Sequence, residues 1–175
     1  YSVTVTSAQG CSNNSSKMVS VHSAPTVGIV GPNTACYAED VELMSTGTAT
    51  HFLWSSGDTT ANTTVNPMFS TSYSVVGYSE YGCTATASWY ISVMPVPMVS
   101  ISGDTLLCEG DTTVLTCSTA NAYAWSTGET SKSIRVGESG VYTVVVTNTM
   151  GCTNSASLNV HVDAYPNILI TGDIS

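Results

Sequence analysis

The chain has 175 residues, 42% of them hydrophobic, with three basic side chains (Lys17, Lys132, Arg135) against twelve acidic ones and a net charge of −9. That balance excludes binding to nucleic acid by counterion release and attraction to an anionic membrane, and no apolar run reaches the ~20 residues of a membrane helix, so no membrane insertion is expected. Ser and Thr make up about 30% of the chain and charged residues only 9%, so the surface is wetted by hydroxyls and offers few sites to trypsin-like proteases, as suits a secreted, extracellular protein.

In chain order, Tyr1-Ser2-Val3-Thr4-Val5-Thr6 alternates and predicts a strand, with Gly10-Cys11 in the turn beyond it. Thr26 to Val30 is the next strand, closed by the turn Gly31-Pro32-Asn33. Cys36 then reads as the start of a long strand in which Val41, Leu43 and Ser45 share one face. His51 to Trp54 is a short strand ending at Ser55-Ser56-Gly57-Asp58. Thr60 to Val65, Ser72 to Gly77 and Thr86 to Val93 complete the series. Val93-Met94-Pro95-Val96-Pro97 follows, where proline removes backbone donors and stiffens the connection. No segment of useful length carries a helical period, so the fold class is all-β with short strands and frequent turns.

After Pro97 the series begins again. Cys36 corresponds to Cys108 and Pro25 to Pro97 at an offset of 72, Trp54 to Trp125 at 71, and Cys83 to Cys152 at 69. A period of this length marks a tandem array. The predicted boundaries are complete repeats over 25–96 and 97–165, closing strands of a preceding repeat over 1–24, and an opening strand of a following repeat over 166–175. Such a sequence reads as a window on a longer array in which neighbouring repeats of the same chain are the principal partners. Pairing of the loose end strands with another copy, as in donor-strand fibres, is the alternative. The short proline-bearing joints favour an extended rod.

Six cysteines without paired C-x-x-C spacing point to disulfides in an oxidising compartment. The repeat assigns Cys36 to Cys83 and Cys108 to Cys152, leaves Cys11 with a partner upstream, and makes Cys117, which matches Ser45 and shares parity with Leu115, a buried free thiol.

Catalysis finds little support. His22, His51 and His161 occupy non-equivalent places in the repeat, and there is no G-x-S-x-G elbow, so the chain is not expected to be an enzyme. Asp104, Glu109 and Asp111 are weak calcium candidates near one end of a unit, without the dense acidic spacing of an EF-hand; otherwise no cofactor is expected. Trp54 and Trp125 are core residues by their equivalence, whereas Trp89 and Tyr90 have Leu158 and Asn159 opposite them and are candidates for gripping sugar.

The second repeat reads C-E-G-D, then Y-A-W-S-T-G-E-T, then G-V-Y-T-V-V-V-T-N and G-C-T-N-S-A-S. This pattern resembles the tandem immunoglobulin-like (PKD/Ig-type) repeats of very large Bacteroidota cell-surface adhesins, including the gliding-motility adhesin exported by the type IX secretion system. Glu138-x-Gly140-x-Tyr142 resembles the tyrosine corner of immunoglobulin-type domains, while Val144 stands where those domains carry their second cysteine. The first repeat departs from the pattern, with Tyr37-Ala38 after its cysteine and Thr71-Ser72 before Tyr73. The resemblance implies a non-catalytic stalk segment of a secreted cell-surface adhesin or filament, with any glycans or surfaces bound elsewhere in the parent protein. An accessory carbohydrate-binding module of a secreted hydrolase is the alternative. It also implies candidate O-glycosylation at Thr59, Thr105 and Thr112, each of which follows an Asp and precedes Thr or Leu.

Overall fold

The computed structural model describes residues 1–169, and every regular element among them is a β-strand. By spatial contact the chain forms two compact units, one of Tyr1–Asn33 with Asp40–Ser92, the other of Thr34–Glu39 with the chain from Val93 onward.

In the first unit β1 (Ser2–Thr6) and β2 (Ser12–Ser16) form an antiparallel hairpin that is its own two-stranded sheet. Val3 and Val5 on this hairpin are 58% and 66% exposed, although their repeat equivalents Val144 and Val146 are wholly buried. The first sequence repeat then runs through β3 (Val27–Val30), β4 (Thr34–Cys36), β5 (Val41–Gly47), β6 (His51–Trp54), β7 (Asn62–Val65), β8 (Thr71–Tyr78) and β9 (Thr84–Met94), of which β4 and the last two residues of β9 fall in the second unit. One sheet runs β3-β5-β7 and the other β4-β9-β8-β6. Alternation along β5 and β7 sends Val41, Leu43, Thr63 and Val65 inward, where they meet Trp54, Val75 and Ile91 from the facing sheet.

The second unit repeats this plan with β10 (Ile101–Ser102), β11 (Leu106–Cys108), β12 (Thr113–Cys117), β13 (Ala122–Trp125), β14 (Ser133–Val136), β15 (Gly140–Thr147) and β16 (Thr153–Asp163). Its sheets run β10-β12-β14 and β11-β16-β15-β13, with β11 parallel to β16 and the other pairs antiparallel. First, third and fifth strands thus face the second, seventh, sixth and fourth, which is the order of an immunoglobulin-like sandwich. Leu115, Cys117, Trp125, Ile134, Val136, Val144, Val146 and Val160 fill the space between the sheets.

Two local devices confirm the expected architecture. Tyr142 Oη donates to the Glu138 carbonyl oxygen at 3.0 Å, tying the corner before β15. The indoles also act alike: Trp54 Nε1 donates to Thr60 O and Trp125 Nε1 to Ser131 O, both at 2.9 Å, so each buried indole satisfies its polar atom in the loop leading to the next strand.

The structure corrects the sequence reading at the start of the third predicted strand. Cys36 does not open the strand that carries Val41; it ends β4, a separate three-residue strand in the other sheet, and Cys108 likewise ends β11. The chain changes sheets after β3 and again after β10, at Gly31 and Gly103. A methyl group on Gly31 would lie 2.6 Å from Leu43 Cδ2, so the crossing needs a residue without a side chain. Of the opening strand expected over 166–175, residues 166–169 carry no strand and residues 170–175 lie outside the described residues.

Candidate functional site

Reactive side chains in this protein are concentrated in its cysteines and in a few acidic turns. Cys36 lies where β4 ends beside the last residues of β9: Tyr37 N–H donates to Met94 O at 2.9 Å. A tight turn follows, in which Glu39 N–H donates to Cys36 O at 3.1 Å while Glu39 Oε2 accepts from Cys36 N–H at 2.7 Å. Ala38 takes up a positive φ of 58° within that turn.

Cys152 closes the turn between β15 and β16. Asn148 Oδ1 accepts from the N–H groups of Met150 and Cys152 at 2.9 and 3.0 Å, the local side-chain bonding that favours Asn in turns. Asn148 Nδ2 donates to Pro95 O and Asn154 Nδ2 to Pro97 O, both at 2.9 Å, so two amides hold the proline-bearing segment. Cys36 and Cys152 are joined by a disulfide with Cα atoms 5.6 Å apart and a sequence separation of 116.

The expected pairs, Cys36 with Cys83 and Cys108 with Cys152, are therefore not formed. Cys83, partly exposed, and Cys108, exposed, are free thiols. The reason lies in the strands. Cys108 is in register with Asp163 at the far end of β16, whereas Cys152 immediately precedes the first residue of that strand. An eleven-residue strand at ~3.3 Å per residue separates its ends by about 30 Å, several times the reach of a disulfide. Cys36 and Cys83 stand in the same relation along β9, another strand of eleven residues. Cys117, by contrast, is a buried free thiol in the core as its parity predicts, and Cys11 is exposed in the β1–β2 turn.

Asp104 and Asp111 line one open hollow of about 410 Å³ together with Cys108 and Asp163, but Glu109 does not. Among the described residues no three His, Cys, Asp or Glu side chains lie close enough together to hold a metal ion, so the calcium candidates do not assemble a site. A different carboxylate is the one with a defined environment. Asp58 Oδ2 accepts hydrogen bonds from Thr63 Oγ1 and Ser56 Oγ, which hold its carboxyl below the usual carboxylate pKa, the Thr63 bond acting most strongly.

The histidines are scattered. His22 stacks on Tyr81 with ring centroids 3.6 Å apart, His51 Nδ1 bonds Thr50 Oγ1 at 3.1 Å, and His161 pairs with Asp163 on the surface at 2.9 Å. Trp89 Nε1 donates to Pro32 O at 3.0 Å, and Tyr90, 58% exposed, points to the other face of β9, so the two do not form a continuous aromatic strip. Thr59, Thr105 and Thr112 are all exposed outside strands, and Thr112 Oγ1 accepts from Arg135 at 3.0 Å.

Sequence reasoning missed the Cys36–Cys152 bond because it missed β4 and β11. The signal available was Gly31 and Gly103, which occupy equivalent positions just before those strands.

No family model matches the sequence, and no curated protein matches it as a relative. Among solved structures, murine CEACAM1b is similar at 14% identity over 79% of this chain and 100% of that one, with a TM-score of 0.36. The N-terminal Ig1-2 module of the Drosophila receptor protein tyrosine phosphatase DLAR is similar at 14% identity over 81% and 100%, with a TM-score of 0.31. A 1.5-MDa bacterial ice-binding adhesin is similar at 13% identity over 94% and 74%, with a TM-score of 0.32.

Proposed function

We propose that this chain is a structural segment of a long secreted adhesin or filament on the cell surface, of the kind that serves attachment and gliding, and that it does no chemistry on a substrate. The observation that carries this reading is the bond between Cys36 and Cys152, which joins residues of successive sequence repeats in a chain whose repeats share one sandwich plan. A hydroxyl-rich, anionic surface suits prolonged exposure outside the cell. O-glycans at Thr59, Thr105 and Thr112 belong to the same proposal, since those residues are exposed and lie outside the strands. The reading as a carbohydrate-binding module gains nothing from Trp89 and Tyr90, which point to opposite faces of β9.

The test is to label intact cells that carry the parent protein with an antibody against this segment, and to assay the isolated segment against immobilised polysaccharides. Surface labelling with no binding or hydrolysis by the segment itself is the expected result. Exclusively intracellular antigen, or saturable sugar binding by the segment, would overturn the proposal.

A further inference from the structure

We propose that Cys108 and Cys83 are half-sites of the bond that Cys36 and Cys152 already make. In this scheme the cysteine ending the short second strand of every repeat is oxidised onto the Gly-Cys turn of the next repeat in the same polypeptide. The inference extends the stalk reading above but rests only on the cysteine geometry, and it would hold for any array of these repeats.

The two strand-end cysteines have the same setting. β4 and β11 are both three residues long, and each ends on its cysteine. Beyond Cys36, Tyr37 N–H donates to Met94 O at 2.9 Å and Glu39 N–H returns to the cysteine carbonyl at 3.1 Å. Beyond Cys108, Glu109 N–H donates to Asp163 O at 2.8 Å and Asp111 N–H returns to the cysteine carbonyl at 3.0 Å. Cys108 is therefore presented by the same backbone, with an exposed thiol.

The turn cysteines are equally alike. Asn148 N–H donates to Cys152 O at 3.0 Å, Ser79 N–H to Cys83 O at 2.9 Å and Ser7 N–H to Cys11 O at 2.8 Å. In each turn the preceding glycine has a positive φ, of 85°, 80° and 87° respectively. The cysteine N–H also returns in each case to the side chain at the start of the turn, at 3.0, 3.2 and 3.3 Å. The correspondence extends to the surroundings. Met94 and Met150 line a hollow with Cys36, Glu39 and Cys152; their repeat equivalents His22 and Tyr81 stack on each other and line a hollow of about 270 Å³, and Cys83 Sγ donates to His22 O at 3.8 Å.

The occupant this geometry specifies is a repeat of the same type. Cys83 takes the cysteine ending a short second strand, and Cys108 takes a cysteine that follows glycine in a hairpin turn. The chemistry is thiol oxidation: one S–S bond forms, two S–H bonds break, and two electrons and two protons pass to a disulfide oxidant, which is reduced to two thiols. Such oxidants act in the compartments where structural disulfides form.

The experiment is disulfide mapping of the intact parent protein. It is alkylated with N-ethylmaleimide before and after denaturation, then digested with pepsin at acid pH to prevent exchange. The expected result is Cys36 linked to Cys152, Cys108 linked to a Gly-Cys turn peptide of another repeat, Cys83 linked to a strand-end cysteine peptide, and Cys117 alkylated only after unfolding. Alkylated Cys108 or Cys83 in the native protein, Cys108 linked to Cys83 or Cys152, or a bond between two polypeptides that a non-reducing gel resolves as a doubled mass would each overturn the proposal. Free Cys108 or Cys83 beside an intact Cys36–Cys152 bond overturns this proposal alone, whereas the antibody and polysaccharide assays decide the stalk reading on their own.

Discussion

A methyl group placed on Gly103 would stand 2.8 Å from Cδ2 of Leu115, a fully buried core side chain, and 2.8 Å from the carbonyl oxygen of Val114. This is the point where the backbone leaves the β10-β12-β14 sheet to enter β11 in the facing one. Gly103 also has φ near 151°, a region glycine alone occupies comfortably. Gly103→Ala should destabilise the protein by about 2–4 kcal/mol, the sum of overpacking and backbone strain. Gly110, with φ 86° and nothing within 4 Å of an added Cβ, is the control. Gly110→Ala should cost only ~1 kcal/mol, and the two denaturant midpoints compared at equal m-value read the difference.

The same crossing shows how far the sequence could be read. Strand alternation made β5 and β7 visible, because one face of each is buried and a period of two survives in Val41/Leu43 and Thr63/Val65, while β15 showed as an almost unbroken β-branched and aromatic run from Val141 to Thr147. Trp54 and Trp125 took their expected roles because a repeat that matches them across copies reports a shared packing environment, whereas Cys117 was placed by its parity with Leu115 and Tyr142 by its resemblance to a tyrosine corner. β4 and β11 were invisible because three residues are too short to show a period, and their place is fixed by hydrogen bonds to a distant strand end rather than by their own side chains. The cysteine pairing followed that error. Once Cys36 is placed at the start of the wrong strand, it falls at the wrong end of the sandwich, and repeat equivalence alone cannot tell a bond within a repeat from one between repeats.

Removing the observed bridge distinguishes the two pairings by stability. It closes a loop of 116 residues. Cys36→Ser with Cys152→Ser should lower the unfolding free energy by about 2–5 kcal/mol, as for loss of a native disulfide. In the same 175-residue chain, Cys83→Ser with Cys108→Ser should stay within about 0.5 kcal/mol of the parent, since neither thiol is bonded there. Equal and large losses for the two double variants in urea denaturation would restore the pairing within repeats, because each variant removes one cysteine from both of those bonds.

The tyrosine corner makes a separate claim on stability. Tyr142→Phe keeps the ring against the core and removes only the hydroxyl that reaches Glu138 O. A loss of about 1 kcal/mol is expected, the usual net value of one such hydrogen bond. An unchanged denaturant midpoint would mean that water replaces the carbonyl without cost.

Asp58 supplies the pH dependence of the β6–β7 loop. Its carboxylate accepts from Thr63 Oγ1 and Ser56 Oγ in the folded chain, so its folded pKa lies below the ordinary 3.8. A group with a depressed folded pKa adds stability above its unfolded pKa and loses it as pH falls through the folded value. The contribution of Asp58 is thus complete at neutral pH and fades only below about pH 4. Asp58→Asn should flatten that part of the acid limb in a plot of stability against pH while leaving the slope above pH 5 unchanged. Titration of the Asp58 carboxyl carbon by NMR checks the sign directly: a midpoint above 3.8 would mean that the two hydroxyls do not favour the ionised form.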